Sequence, residues 1–331
     1  MTAVLDPPRT VPADDLTRRE VVIAGLGLAL GIGLAGCGGD GGDSGAGETR
    51  RVRHELGVTN VPASPARTLC VEARGMLEIA LALGLGTSHA GVYEGTSDFP
   101  PAIAERAGAA GVEPLEIAGD GPSLEAVAAL EPDLIIGPLY LVEPVYRQLS
   151  RIAPTLALPT NQEEPWQDTL RRLGRELGRS DEAAEAIAAY ESRRDAIRRR
   201  HADAIATARV SIFSAFPGEV ALSGRTQLIV QTLYDLGGRV PPGHPGLAGD
   251  FRELSREQLG LLDGDVLVRR TEESDRAEVV AELESNPIYA RLPAVRAGRV
   301  VDIESLTANI GSVYSALDCL DVLDRAYGLV A

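Results

Sequence analysis

The chain is short of bases, of aromatics and of metal-binding side chains. Its formal charge is −16, from 48 Asp and Glu against 32 Lys and Arg. A nucleic-acid partner needs a basic face, and anionic lipid attracts one too, so neither is expected. A partner surface rich in Arg or Lys fits that balance instead. Four His, at 54, 89, 201 and 244, are too few and too scattered for a His-rich zinc or manganese site. No phosphate loop and no Cys-x-x-Cys is present. The nucleophile-elbow pattern fails at its last position in Gly86-Thr-Ser88-His89-Ala90. With no catalytic set identified, the chain is not expected to be an enzyme. Two dinucleotide-type glycine patterns, over 31–36 and 36–41, neither follow a strand nor open a helix in a βαβ unit, so they carry no cofactor site.

The N-terminal stretch addresses the chain to a compartment. Thr17-Arg18-Arg19-Glu20 precedes an apolar run from Val21 to Ala35, too short for a comfortable membrane span. A basic region, an apolar region and small residues at a cut site make an export signal. The paired arginines point to the twin-arginine route. Leu34-Ala35-Gly36-Cys37 resembles a bacterial lipobox, which implies cleavage before Cys37 and a lipid on its thiol. The Gly-rich stretch that follows reads as a flexible tether. Residues 1–36 are therefore expected to be a signal peptide and 37–55 the lipidated Cys and tether. That places the working part at the outer face of the cytoplasmic membrane. Cys70 and Cys319 fall in different lobes and are expected to remain buried, unpaired thiols, although the compartment permits a disulfide.

Two ungapped segments repeat each other. Ser123-Leu-Glu125 through Asp133-Leu-Ile-Ile136 aligns with Ser255-Arg-Glu257 through Asp265-Val-Leu-Val268. Each reads as an N-cap Ser, a first-turn Glu, a short apolar helix, a turn and a buried strand. A unit used twice implies two similar lobes, and paired lobes make a cleft. Strand and helix patterns alternate from Arg67 to about residue 163 and again from 207. Between them, residues 164–206 carry little strand signal, good N-cap chemistry at Ser180 and cations from Arg193 to Arg200. The expected fold is α/β: an N-terminal lobe over 56–163, a spine helix over 164–206 and a C-terminal lobe over 207–331. Mainly parallel sheets lie at the lobe centres.

Several motifs in order resemble one family. They are Pro65-Ala-Arg67-Thr-Leu, Pro122-Ser-Leu-Glu125 through Ile136, Tyr146-Arg-Gln-Leu149 through Pro154-Thr, and Asn286-Pro-Ile-Tyr289 through Gly298-Arg-Val-Val. Together they resemble the lipid-anchored substrate-binding proteins of bacterial ABC importers, in the group for ferric siderophores, cobalamin and haem. The resemblance implies two lobes on a single long helix, with only small closure. It also implies that one Glu per lobe, here Glu125 and Glu257, docks into basic pockets of a permease dimer. A first-turn Glu equally suits the positive end of a helix, and both roles hold at once. No resident cofactor or metal is implied, and a monomer is expected.

Ligands of open α/β sheets sit beyond the carboxyl ends of strands. That rule selects Arg74, Tyr93 and Tyr140, with Glu72, in the first lobe, and Trp166 entering the spine. In the second it selects Phe213, Phe216, Arg225, Arg269 and Arg270. Ferric siderophores are often anionic and flat-faced, so Arg supplies charged hydrogen bonds and aromatics supply stacking area. Arg74 and Arg269 lead. Arg225 and Arg270 read more simply as solvated charges, and Trp166 serves packing as readily as contact. Haem or cobalamin is the alternative ligand, with Tyr93, Tyr140 or His244 available to haem iron. A lipid-anchored enzyme or a sensor subunit of the same fold is the second alternative.

Overall fold

A computed structural model of the chain describes residues 48–93, 99–118, 121–244 and 251–331. The signal segment and Cys37 lie outside them. The described part opens with a hairpin, β1 (Thr49–His54) antiparallel to β2 (Gly57–Pro62). Val52 and His54 are buried while Arg51 and Arg53 face water, which is the period of a half-buried strand. The tether expected up to residue 55 therefore ends before Thr49, and His54 belongs to the folded lobe.

The first lobe continues as β3 (Thr68–Cys70), α1 (Gly75–Ala82), β4 (Thr87–Tyr93), α2 (Pro101–Ala109), β5 (Glu113–Ile117), α3 (Leu124–Ala129), β6 (Leu134–Pro138), α4 (Leu139–Val142), α5 (Tyr146–Ile152) and β7 (Thr155–Leu158). Its sheet runs β5-β4-β3-β6-β7 with every pair parallel. The segment expected as one helix is three: α6 (Trp166–Leu177), α7 (Ser180–Arg200) and α8 (Ala202–Thr207). Gly178, at φ +70, takes the left-handed conformation that ends α6. The 21-residue α7 is the long spine.

The second lobe comprises β8 (Val210–Phe216), β9 (Glu219–Ser223), α9 (Leu228–Leu236), β10 (Phe251–Glu253), a 3-10 helix over Arg256–Leu262, β11 (Val266–Thr271), α10 (Arg276–Ser285), α11 (Pro293–Arg296), β12 (Val300–Glu304), α12 (Ser305–Asn309) and α13 (Val313–Gly328). Its sheet runs β10-β9-β8-β11-β12. The last three strands are parallel, and β9 and β10 are antiparallel.

The internal repeat has a structural counterpart. Asp133, at the turn before β6, accepts from the backbone N–H groups of Ala66 and Arg67 at 2.8 and 2.9 Å. Asp265, at the turn before β11, accepts from the N–H of Arg209 at 2.8 Å. Each lobe thus uses the last residue of its repeat turn to pin the entry of its first central strand.

The lobes do not have separate cores. One buried cluster includes Cys70, Met76 and Leu77 of the first lobe, Trp166, Leu170, Tyr190 and Ile197 of the spine, and Ile212, Leu233 and Leu320 of the second lobe. Smaller clusters fill the outer face of each sheet. Cys70 and Cys319 are free and buried, and burial pushes both thiols well up. The spine is tied to α13 by Arg193, which binds Asp321 and Asp324, and by His201, 2.8 Å from Asp324. Moving one lobe against the other would shear this continuous packing, which favours small motions. Among the described residues no helix is long and apolar enough to cross a membrane.

Candidate functional site

The lobes meet on short, close contacts. Gly75, the first residue of α1, faces Gly311, where an added Cβ would come within 3.6 Å of its backbone. Asn161, just beyond β7, accepts from the N–H of Gly311 at 3.1 Å and donates to the carbonyl of Thr226 at 3.3 Å. Its own carbonyl accepts from Gln231 at 2.8 Å. Arg74 precedes Gly75 directly, so its backbone lies at the lobe junction.

Three strand ends build a cluster around Arg74. Glu72, buried beyond β3, ion-pairs the Arg74 Nε. Arg74 Nη2 donates to Tyr140 Oη at 3.1 Å and Tyr93 Oη at 3.3 Å, and its guanidinium lies 5.4 Å from the Tyr93 ring centroid. The two hydroxyls are 3.3 Å apart. Tyr93 ends β4, and Tyr140 is the second residue of α4, which follows β6 directly, so the parallel sheet brings them together although they are 47 residues apart in sequence. Burial acts to lower the Arg74 pKa, but Glu72 together with Tyr140 and Tyr93 outweighs it, and the guanidinium is held firmly charged. Tyr140 keeps 45% of its surface exposed. The cluster offers a fixed cation and two phenols to an anionic, flat-faced partner.

The second lobe sorts its candidates differently. Phe213 is fully buried against Tyr289, with ring centroids 6.4 Å apart, in the outer core. It cannot contact a ligand, because β8 is a central strand covered on both faces. Arg269 points to the same outer face. Asp302 holds it through two hydrogen bonds, at 2.7 and 3.0 Å, along one edge of its guanidinium. Arg269 is thus a structural ion pair between β11 and β12 rather than a free cation. Arg270, its neighbour, points to the opposite face. There its Nη1 donates to Ser223 Oγ at 3.0 Å, and Phe251 lies over it at 5.5 Å. Arg270 is buried rather than solvated. Phe216 is half-buried beside a groove on the outer face.

Trp166 and Arg225 come together in a third place. Both line a cavity of about 500 Å³ with Asn161, Tyr190, Gln231 and Asp235. Trp166 is buried edge-on to Tyr190 at 5.1 Å, and Arg225 lies 4.7 Å over the Tyr234 ring. Trp166 is buried and packs one spine helix, α6, on another, α7. His244 is engaged on both ring nitrogens, by Ser211 Oγ at 3.0 Å and the Ser223 carbonyl at 3.4 Å. Burial drives its pKa down to about 4, and its occupied nitrogens do not suit a haem ligand. No cluster of His, Cys and carboxylates able to hold a metal occurs among the described residues.

Glu125 and Glu257 are both exposed, one residue into α3 and one into the 3-10 helix before β11. Ser123 caps α3 by accepting from the Ala126 N–H at 3.4 Å, and its hydroxyl donates to Glu125 at 3.0 Å. Gln258 closes the matching turn by accepting from the Ser255 N–H at 3.1 Å. Each Glu carboxylate is held below its ordinary value, first by its own backbone N–H and then by the Ser. Both are therefore fixed, ionised charges at equivalent positions.

Comparison with known proteins agrees with this architecture. A family profile described as "Periplasmic binding protein" matches residues 74–306. The chain is 26% identical over 295 residues to the "Probable siderophore-binding lipoprotein YfiY" of Bacillus subtilis, covering 85% of this chain and 88% of that one. It is 30% identical over 221 residues to the ferric enterobactin-binding periplasmic protein FepB of Escherichia coli, covering 62% and 67%. The crystal structure of Staphylococcus aureus SirA complexed with staphyloferrin B superposes with a TM-score of 0.68 at 23% identity, covering 84% of this chain and 98% of that one. With a family match over most of the folded part, and the two-lobed fold it requires, the chain belongs to the periplasmic binding protein family.

Proposed function

We propose that the chain captures a ferric siderophore between its lobes and delivers it to an ABC permease, held by a lipid on Cys37 at the outer face of the cytoplasmic membrane. The observation that carries this reading is the Glu72–Arg74–Tyr93–Tyr140 cluster at the lobe junction. Arg74 is fixed in place before any ligand arrives, so little side-chain entropy is lost on binding. Relatives named for siderophore and ferric enterobactin binding support the same ligand class.

The test is a titration of the purified soluble domain with ferric siderophores, haem and cobalamin, read by quenching of Trp166 fluorescence. A ferric siderophore should bind, and Arg74→Ala should weaken it by about 1.5–3 kcal/mol, the scale of a charged hydrogen bond. Unchanged affinity in a folded Arg74→Ala protein would remove this cluster from the site. Binding of haem or cobalamin alone would replace the ligand class.

Attachment is tested separately. Cys37→Ala should shift the protein from membrane to soluble fractions, since one thiol carries the anchor. Membrane association that survives the change would rule out the lipid.

A further inference from the structure

Of the arginines at the carboxyl ends of the central strands, Arg74 is compensated by Glu72 and Arg269 by Asp302. Arg270 is fully buried, yet no carboxylate among the described residues lies within ion-pair reach. Among the described residues its one hydrogen bond goes to a neutral hydroxyl, Ser223, and its Nε has no partner. Burying a cation without a counter-charge is costly, and proteins seldom retain one without a use. Burial pulls the guanidinium down to about 10, so it remains charged at neutral pH.

The ring above it supplies the second observation. Phe251 covers the guanidinium but keeps 44% of its own surface exposed. Each lobe therefore sets an arginine against an aromatic ring, Tyr93 at Arg74 and Phe251 at Arg270. The two are linked through the chain. Arg270 lies in the field of Glu304, the N-cap of α12, and the segment from Glu304 ends at Gly311, packed on Gly75 beside Arg74. A segment of that length spans on the order of 10–20 Å.

We infer that Arg270 and Phe251 form the second lobe's recognition element for an anionic iron complex, the Phe251 ring turning aside so that the ligand's oxygens reach the guanidinium. The inference rests on the ferric siderophore reading above and fixes the sign of the ligand's charge. Arg74 donates charged hydrogen bonds at the phenol cluster, but its pairing with Glu72 leaves that cluster little net charge. Arg270 brings the uncompensated positive charge that selects anions.

The probes are ferric enterobactin, a trianionic catecholate complex, and ferrioxamine B, a cationic hydroxamate complex. Arg270→Gln should weaken ferric enterobactin roughly 10- to 100-fold, the loss of one charged hydrogen bond. It should leave ferrioxamine B unchanged or slightly tighter. Equal losses for both complexes, or none for either, would overturn the inference while leaving the general reading intact. Failure of the unaltered protein to bind any ferric complex would overturn the general reading first. A second measurement does not depend on Arg270→Gln folding. In Phe251→Ala, phenylglyoxal should modify Arg270, located by peptide mass spectrometry, and saturating ferric enterobactin should suppress that reaction. An Arg270 that stays unreactive once uncovered, or reacts equally with ligand present, is not at the site.

Discussion

Changing Glu125 and Glu257 together to Ala is expected to abolish most uptake of a ferric siderophore in cells while leaving its affinity in solution nearly unchanged. The two carboxylates hold equivalent positions in the internal repeat, and both are exposed and ionised. Neither lies at the strand ends where Arg74 and Arg270 are found. Two like charges on two like lobes match a partner with paired basic pockets, as a dimeric permease presents. Charge complementarity of this kind acts mainly on encounter rate and register. The double change should therefore lower uptake more than either single one, and raised ionic strength should weaken transport by the unaltered protein. Loss of the first-turn charges also removes a favourable helix-end interaction, so a small fall in melting temperature accompanies the change. A binding titration and a transport assay on the same double variant decide the matter. Normal transport, or a loss of affinity as large as the loss of uptake, would falsify the docking role.

The sequence revealed these carboxylates because they belong to a local pattern. A cap, a short helix, a turn and a strand are written within fourteen consecutive residues, and the pattern occurs twice. Strand ends were legible for the same reason, and three residues picked from them, Arg74, Tyr93 and Tyr140, come together. The surroundings of Arg269 and Arg270 were not legible in this way. Strand β11 is buried on both faces, so its side chains show no polar alternation to indicate which face each arginine takes. The partners that decide it, Asp302 and Ser223, lie on different strands. Phe213 was misplaced by the same ambiguity, since a central strand hides both faces alike. The spine's first break was marked by Gly178, whereas the second, at His201, has no such marker. The joining of two lobes through one core was invisible, because no residue in α1 or α13 identifies its partner across more than two hundred positions.

Glu78 is the clearest case of such a hidden partner, and replacing it should give the largest change in stability. In sequence it is an ordinary helical Glu one turn after Arg74. In the fold it is fully buried and crosses from α1 to the start of α13, 234 residues away. Its Oε2 accepts from the N–H groups of Ser312, Tyr314 and Ser315 at 2.9, 2.8 and 3.0 Å, and its Oε1 accepts from the Ser315 hydroxyl at 2.5 Å. One lobe thus caps the last helix of the other and satisfies N–H groups that would otherwise be orphaned in the interior. Glu78→Ala strands those donors and opens a void, which should cost about 3 kcal/mol or more. Glu78→Gln behaves differently. Burial pushes the Glu78 carboxyl up to about 7 against the lowering by its donors. A folded value above the unfolded one, 4.5, means the protonated form is the better fit, and its contribution is fully present below pH 4.5. That contribution fades as pH rises through 7, by about 3 kcal/mol in all. Gln keeps an accepting oxygen for the three N–H groups and a donor for Ser315, so it mimics the protonated acid at every pH. Melting curves between pH 4.5 and 8 separate the cases. The unaltered protein should lose stability across that range beyond any change shared with Glu78→Gln, the two should coincide near pH 4.5, and Glu78→Ala should lie well below both at acid pH. A Glu78→Gln protein that is less stable than the unaltered one at pH 8 would show that the cap works as a carboxylate, and the expected direction of the pH dependence would reverse.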